Sequence, residues 1–352
     1  MAARQTPSIR KGALIGCGFF SVNHLHAWQQ LQGVEIVALC DADAERLAVA
    51  AATFGITQTY RSAQELFEAQ PLDFVDIATT VSSHRALVEM AARHRVACIC
   101  QKPFAETLED GAAMVACCKE AGVPLMVHEN FRWQAPIQAV RAALDEGHIG
   151  EPFWGRVSFR SAFDVFSGQP YLATGERFIL QDLGIHIIDI ARYLFGEVDT
   201  LSASTRRVNP DIRGEDVATL MMRHAHAVTS IVDCSYATVL EHELFPQTLV
   251  EIDGADGTIR LGAGYELTIK RRGADPIRRD CAPPLHAWAQ RPWHNIQDSV
   301  LNIQRHWLQA LDEGRDPQTS GADNLRTLQL VEAAYASAAR GQVTWDIGGQ
   351  RL

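Results

Sequence analysis

Three short stretches of this chain carry side chains that can hold charge or move protons. Gln101-Lys102-Pro103 closes the apolar run 96–100. A lysine at the end of such a strand can hold an oxygen and stabilise negative charge developing on it, and Pro103 restricts it to extended geometry. Lys-Pro in a plain surface turn is the competing reading. The second stretch is Asp182-Leu183-Gly184-Ile185-His186-Ile187-Ile188-Asp189. Asp182, His186 and Asp189 fall at i, i+4 and i+7, one face of a helix. The other faces are apolar, so the helix is expected to be buried, and a buried polar stripe needs a partner, a cavity or water. An imidazole titrates near neutral pH and suits a general base, with Asp182 to orient it. The alternative is a core histidine satisfied by Asp182.

The third stretch is Gly16-Cys17-Gly18-Phe19-Phe20-Ser21, which follows the apolar run Ala13-Leu14-Ile15 and opens a helix. Gly16 permits a tight turn, Gly18 lets backbone approach a pyrophosphate, and the helix N-terminus faces the anion. Ser21 stands where a third glycine is usual, at a position that needs only a small residue. Asp41 ends the next strand, about 20 residues on, where an acidic group binds the adenosine ribose hydroxyls. The competing reading is that Asp41 caps the following helix. A carboxylate there repels an extra 2′-phosphate, and Ala42 and Asp43 supply no cation. NAD is therefore the expected cofactor, rather than NADP.

The elements that must position these groups follow from hydrophobic period. Strand-like runs at 13–15, 34–40, 74–78, 97–100 and 125–127 alternate with helical stretches such as 21–31 and 42–54, which predicts an α/β Rossmann-type doubly wound parallel sheet. Beyond residue 155 the strands lengthen and alternate, at 156–163, 217–223, 228–236, 249–253 and 266–270. Asp253-Gly254 and Asp256-Gly257 supply turn chemistry. Helices are expected near 180–195, 295–313 and 323–340. The second half thus reads as an α+β domain with a large, mainly antiparallel open sheet. The expected division is 1–129 and 130–352.

Composition narrows the function classes. The chain has 352 residues, 47% of them hydrophobic, enough for two packed domains. A formal charge of -10 argues against nucleic-acid binding, because the basic patches Lys270-Arg271-Arg272 and Arg278-Arg279 are short. No apolar run reaches membrane-spanning length, and the run 12–17 is too short for a secretory signal core. Eight cysteines form no Cys-x-x-Cys pair and no zinc spacing, so no metal is expected and a reducing, cytoplasmic compartment fits.

Taken in order, these motifs resemble the glucose–fructose oxidoreductase / inositol dehydrogenase family (Gfo/Idh/MocA). The matching residues are the Gly16–Ser21 loop, Asp41, Ile77-Ala78-Thr79-Thr80 with His84, Lys102-Pro103, Asn130-Phe131-Arg132 and Asp182-x-x-x-His186. The family's lysine motif usually reads Glu-Lys-Pro; Gln101 removes one negative charge there. Gln101-Lys102-Pro103-Phe104-Ala105, His128-Glu129-Asn130-Phe131-Arg132 and Gly168-Gln169-Pro170-Tyr171-Leu172 are similar to members that oxidise a branched pentose to its lactone.

The resemblance implies hydride transfer from a sugar or polyol carbinol to NAD. Lys102, His186 and Asp182 are the implied catalytic residues. Gly16, Gly18, Phe19, Phe20, Asp41, Thr79, His84, Gln101 and Lys102 are the implied cofactor residues. Lys102, Asn130, Arg160, Asp182 and His186 are the candidate substrate contacts, and a solvated surface arginine is the competing reading of Arg160. An NAD-dependent glycosidase with transient oxidation and a non-catalytic dinucleotide sensor are the alternatives. A homodimer or homotetramer is expected, through a sheet with apolar residues such as Leu220, Met221 and Met222 on both faces.

Overall fold

Alternation of short apolar runs with amphipathic helices builds the first unit. Its elements are β1 (Arg10–Ile15), α1 (Ser21–Gln29), β2 (Val34–Cys40), α2 (Ala44–Phe54), β3 (Gln58–Tyr60), α3 (Ala63–Ala69), β4 (Phe74–Ile77), α4 (His84–Arg93), β5 (Ala97–Gln101), α5 (Leu108–Ala121) and β6 (Leu125–His128). The computed structural model describes residues 9–341 and 345–347. The six strands lie in the order β3-β2-β1-β4-β5-β6, every neighbouring pair parallel. That order reverses direction between β1 and β4, the switch point at which doubly wound sheets bind ligands. Helix α2 ends on Gly55 at φ 70°, a left-handed C-cap. Leu14, Leu25, Leu39, Leu47 and Phe54 pack one core against the sheet. Each such side chain contributes about 1.5–3 kcal/mol on burial.

The second unit contains α6 (Ala135–Asp145), β7 (Pro152–Arg160), α7 (Ile185–Phe195), β8 (Val198–Arg206), β9 (Val217–His224), β10 (Thr229–Ser235), β11 (Leu249–Gly254), β12 (Gly257–Leu261), β13 (Glu266–Arg271) and β14 (Ile277–Asp280). Helices α8 (His294–Glu313) and α9 (Gly321–Ala339) and the short β15 (Trp345–Asp346) follow. The sheet has nine strands, ordered β14-β13-β12-β11-β7-β10-β9-β8-β15. Among the described residues only β7 and β10 of this sheet pair in parallel; its other neighbours are antiparallel. Gly155, on β7, has no room for a side chain: a Cβ there would lie 2.2 Å from the Phe195 ring of α7. Helix α7 therefore sits directly on the inner face of the sheet.

Two expectations change. The chain does not divide into 1–129 and one uninterrupted second domain. Residues up to Glu129 and Val300–Leu325 form one unit, while Asn130–Ser299 and the chain from Arg326 form the other. The reason is Trp307, fully buried and edge-on to Phe74 at 6.3 Å. Nor is the outer face of the large sheet apolar. Leu220 and Met222 are fully buried, whereas Met221 is 55% exposed between Thr219 and Arg223. Arg156 and Arg160 pair with Asp233, and Arg260 with Asp253, on that sheet. Strict alternation on β9 sends one set of side chains inward and the other to the ion-paired face.

Candidate active site

In the first unit the site is built where β1 hands over to α1. Gly16 sits at φ 99°, and a Cβ there would lie 2.7 Å from the Ala78 carbonyl oxygen, so only glycine fits. Gly18 faces open space, leaving its backbone accessible to a bulky anion. Ser21, 1% exposed, donates its hydroxyl to the Gly18 carbonyl at 2.6 Å, which explains why serine serves in place of the third glycine. Phe19 is 62% exposed, and Phe20 stands edge-on to His24.

Asp41 ties this loop to β2. Its Oδ2 accepts the Cys17 N–H at 2.6 Å and its Oδ1 accepts the Asp43 N–H at 2.8 Å. The cap of α2 is Asp43, which accepts from the amides of Glu45 and Arg46, so Asp41 is not the helix cap. Burial and the Asp41 charge push the Cys17 thiol up to about 12, keeping it protonated. One sequence argument needs correction. A cation does approach: Arg61, just after β3, donates to the Ala42 carbonyl at 2.8 Å. Strand pairing brought it there, so adjacency in sequence could not reveal it. A helix start, an open Gly18 and an acidic strand end together fit a dinucleotide.

The end of β4 and the end of β5 complete this half. Thr79 accepts a hydrogen bond on its hydroxyl from Ser83 at 2.7 Å. His84 is 1% exposed, with ring nitrogens 3.2 Å from the Phe104 carbonyl and 3.1 Å from the Thr79 carbonyl. A neutral imidazole can donate to only one of these two carbonyls, and either bond ties His84 to backbone beside the Thr79 turn. Burial holds its pKa below the usual histidine value. Gln101 accepts the Lys102 N–H on Oε1 at 2.7 Å, and Lys102 itself is half-buried at the strand end.

In the second unit, residues Leu180–Gly184 form a π-helical turn that runs directly into α7. Such turns insert one extra residue and recur at functional sites. The simple i, i+4, i+7 stripe is therefore broken at its start. Asp182 is half-buried in the π turn, and His186 is 4% exposed in the first turn of α7. Phe131 stacks flat on the His186 ring, which fixes the imidazole plane. Asp189, the last member of the stripe, holds a buried partner. It is fully buried, takes both arms of the Arg132 guanidinium and lies 3.2 Å from the Thr327 hydroxyl. Removing one partner of such a buried pair costs about 3–5 kcal/mol.

Two other candidates are committed elsewhere. Asn130, nearly buried, donates to the Ser299 hydroxyl at 2.7 Å. Arg160 pairs with Asp233 at 3.3 Å on the outer sheet face, the solvated reading of that residue. Tyr171, quoted in the Gly168–Leu172 motif but given no site role there, is 65% exposed on the short helical turn Pro170–Ala173. Desolvation of its hydroxyl, and then the negative charge of Asp182, push its pKa up to about 12. Its signal in the sequence was a large aromatic in a Gly-Gln-Pro-Tyr loop. Among the described residues no group of three or more His, Cys, Asp or Glu side chains is placed to hold a metal ion, and no helix is long and apolar enough to cross a membrane.

A dinucleotide loop in a 3-2-1-4-5-6 parallel sheet, followed by an α+β unit carrying Asp182 and His186, defines an oxidoreductase of the Rossmann class. Residues 10–129 match the oxidoreductase family with NAD-binding Rossmann fold, and residues 137–260 match the GFO/IDH/MocA C-terminal domain. The chain belongs to the GFO/IDH/MocA family of NAD-dependent oxidoreductases. It is 65% identical to the D-apiose dehydrogenase of Paraburkholderia graminis over 94% of this chain and 88% of that one. It is 62% identical to the D-apiose dehydrogenase of Rhizobium rhizogenes over 96% and 97%. Among solved structures it is similar to an oxidoreductase from Agrobacterium radiobacter in complex with NAD+, L-tartaric acid and magnesium. That match has a TM-score of 0.96 and 60% identity, and covers 98% of this chain and 100% of the other.

Proposed function

We propose that this enzyme oxidises D-apiose, at the hemiacetal carbon, to its lactone. The observation that carries the reading is identity above 60% to two D-apiose dehydrogenases through both units. NAD supplies the chemistry of hydride acceptance. The chain must bind the sugar, hold the reacting oxygen and take away one proton. Lys102 holds the oxygen and stabilises its charge as the O–H proton departs. His186 accepts that proton, its ring plane fixed by Phe131. Asp182 binds a sugar hydroxyl or orients the imidazole, with Tyr171 as a wall beside it. Asn130 and Arg160 are the weaker substrate candidates, given the partners they already hold.

Incubation with free D-apiose and NAD tests the reading. NADH should accumulate in step with lactone. Absence of NADH with D-apiose, but turnover of another sugar, would displace this substrate. An NAD-dependent glycosidase would release an aglycone without net NADH. A dinucleotide sensor would bind NAD and turn over nothing.

The chain is also proposed to pair with a second copy through the outer face of the nine-stranded sheet, where Met221 and the half-buried Trp154 and Ile231 lie beside the Arg156–Asp233 pair. Light scattering that found only monomer at micromolar concentration would refute it. The free thiols of all eight cysteines support a reducing, cytoplasmic setting.

A further inference from the structure

A buried chain of hydrogen bonds leads from Gln101 into the first unit. Gln101 Nε2 lies 3.1 Å from His24 Nε2, His24 Nδ1 lies 2.8 Å from Asp76 Oδ2, and Trp28 Nε1 donates to the same oxygen at 2.7 Å. His24 and Asp76 are fully buried and Trp28 is 2% exposed. Every proton in this chain can be assigned from one fixed point. The Lys102 N–H can only donate, so the Gln101 atom that meets it must be the carbonyl oxygen, and the amide nitrogen must face His24. An amide nitrogen cannot accept. The His24 Nε2 must therefore be bare, and its proton must sit on Nδ1, donated to the Asp76 carboxylate.

We propose that Gln101 is a positioning residue of the reaction: it locks His24 in the neutral, Nδ1-protonated form and thereby holds the peptide of Lys102. The proposal rests on the reading that Lys102 serves hydride transfer. A glutamine does this where a carboxylate could not. A carboxylate would still accept the Lys102 N–H, but it would turn a second acceptor toward Nε2. His24 would then gain a proton and stand as an imidazolium between two carboxylates. The ring is faced by Asp76 from β4, Gln101 from β5 and His128 from β6, which stacks on it at 4.2 Å. Phe20 and Trp28 flank it on α1, and Gln304 of α8 donates to the His24 carbonyl. Asp76 is the carboxylate of this set, so the protonation state of His24 hangs on what stands at position 101.

The test uses the intact enzyme labelled with 15N-histidine, the His24 signals being assigned by their loss in His24→Phe. Wild type should show a protonated Nδ1 and a bare Nε2 at neutral pH. In Gln101→Glu both nitrogens should carry protons, and one should leave as pH rises. Along that titration kcat/KM for sugar oxidation should fall about tenfold, a barrier change of about 1.4 kcal/mol. The cause is that two carboxylates then compete for one neutral ring, which displaces the side chain at position 101 and with it the Lys102 peptide it holds. A protonated Nε2 in wild type, an unchanged His24 in the variant, or activity flat across the His24 titration would each overturn the proposal. Should Gln101→Glu not fold, Gln101→Met removes both hydrogen bonds without adding charge; Nδ1 should stay protonated against Asp76, while the Nε2 signal should shift as its bond to the amide is lost, and an unchanged Nε2 signal overturns the proposal. Because His24 is read without turnover, failure here is distinguishable from failure of Lys102, which Lys102→Ala reports separately.

Discussion

Phe131 lies flat on His186, ring centroids 3.9 Å apart and planes 6° from parallel. The contact holds the imidazole in one plane. Substituting His186→Ala should lower kcat by about 10²–10⁴-fold, the usual loss for a general base. NAD affinity should persist, because the loop Gly16–Ser21 belongs to the other unit. Titration of NAD beside steady-state kinetics checks both. Wild-type turnover would dismiss His186 as the base, and lost NAD binding would make it a structural residue.

Lys102→Ala should lower kcat more than it raises KM, since its contact strengthens only as charge develops on the oxygen. Circular dichroism should be unchanged, because the Lys102 backbone, not its side chain, carries the bond to Gln101. An unaltered kcat would reduce Lys102 to a turn residue.

NAD should exceed NADP in kcat/KM, and Asp41→Ala should narrow the gap. The variant should also weaken NAD binding, because the Asp41 carboxylate holds the Cys17 amide and so shapes the loop. A wild-type ratio at or below unity would mean that Arg61, near the same strand end, decides the preference.

Mild acid should destabilise the fold through buried histidines. His224 bonds the Gly196 carbonyl through Nδ1 and the Ser230 hydroxyl through Nε2, both at 2.8 Å. Burial holds its pKa and that of His84 below the ordinary 6.5. The unfolded chain therefore binds protons that the folded chain refuses. Stability should be full above about pH 6.5 and fall as pH drops from there toward the depressed folded values. Urea midpoints between about pH 7.5 and 5.5 measure the slope, and His224→Gln should flatten it. An identical slope in that variant would remove His224 from the account.

What the sequence made legible was whatever depends on local period. β2 runs Val34–Cys40, as its apolar run predicts, and α8 spans His294–Glu313, within one residue of its expected start. β3, β8, β12 and β14 had no such signature. β3 is three residues with none fully buried, and β14 is largely exposed, so neither presents an apolar run. At the site, Gly16, Gly18 and Asp41 were readable because backbone geometry dictates their types. The partner of Asp189 was hidden because Arg132 lies 57 positions away, and the π turn at Leu180–Gly184 shifts the helical count between Asp182 and His186. His24 escaped notice for the same reason: Asp76 and Gln101 reach it only across the sheet. The clue available was a lone aspartate, Asp76, inside the apolar strand Phe74–Ile77.

The return of Val300–Leu325 to the first unit has a consequence for how the protein is made. A ribosome delivers β1 to β6 long before it delivers Trp307, which covers Phe74, or Thr319, which bonds Val127 at the exposed edge of β6. The nascent nucleotide-binding half must wait with an uncovered aromatic and an unpaired strand edge while all of 130–299 is translated. Such edges recruit stray strands, so this interval is the vulnerable one for aggregation. A fragment ended at Glu129 would keep Phe74 and the β6 edge without those partners.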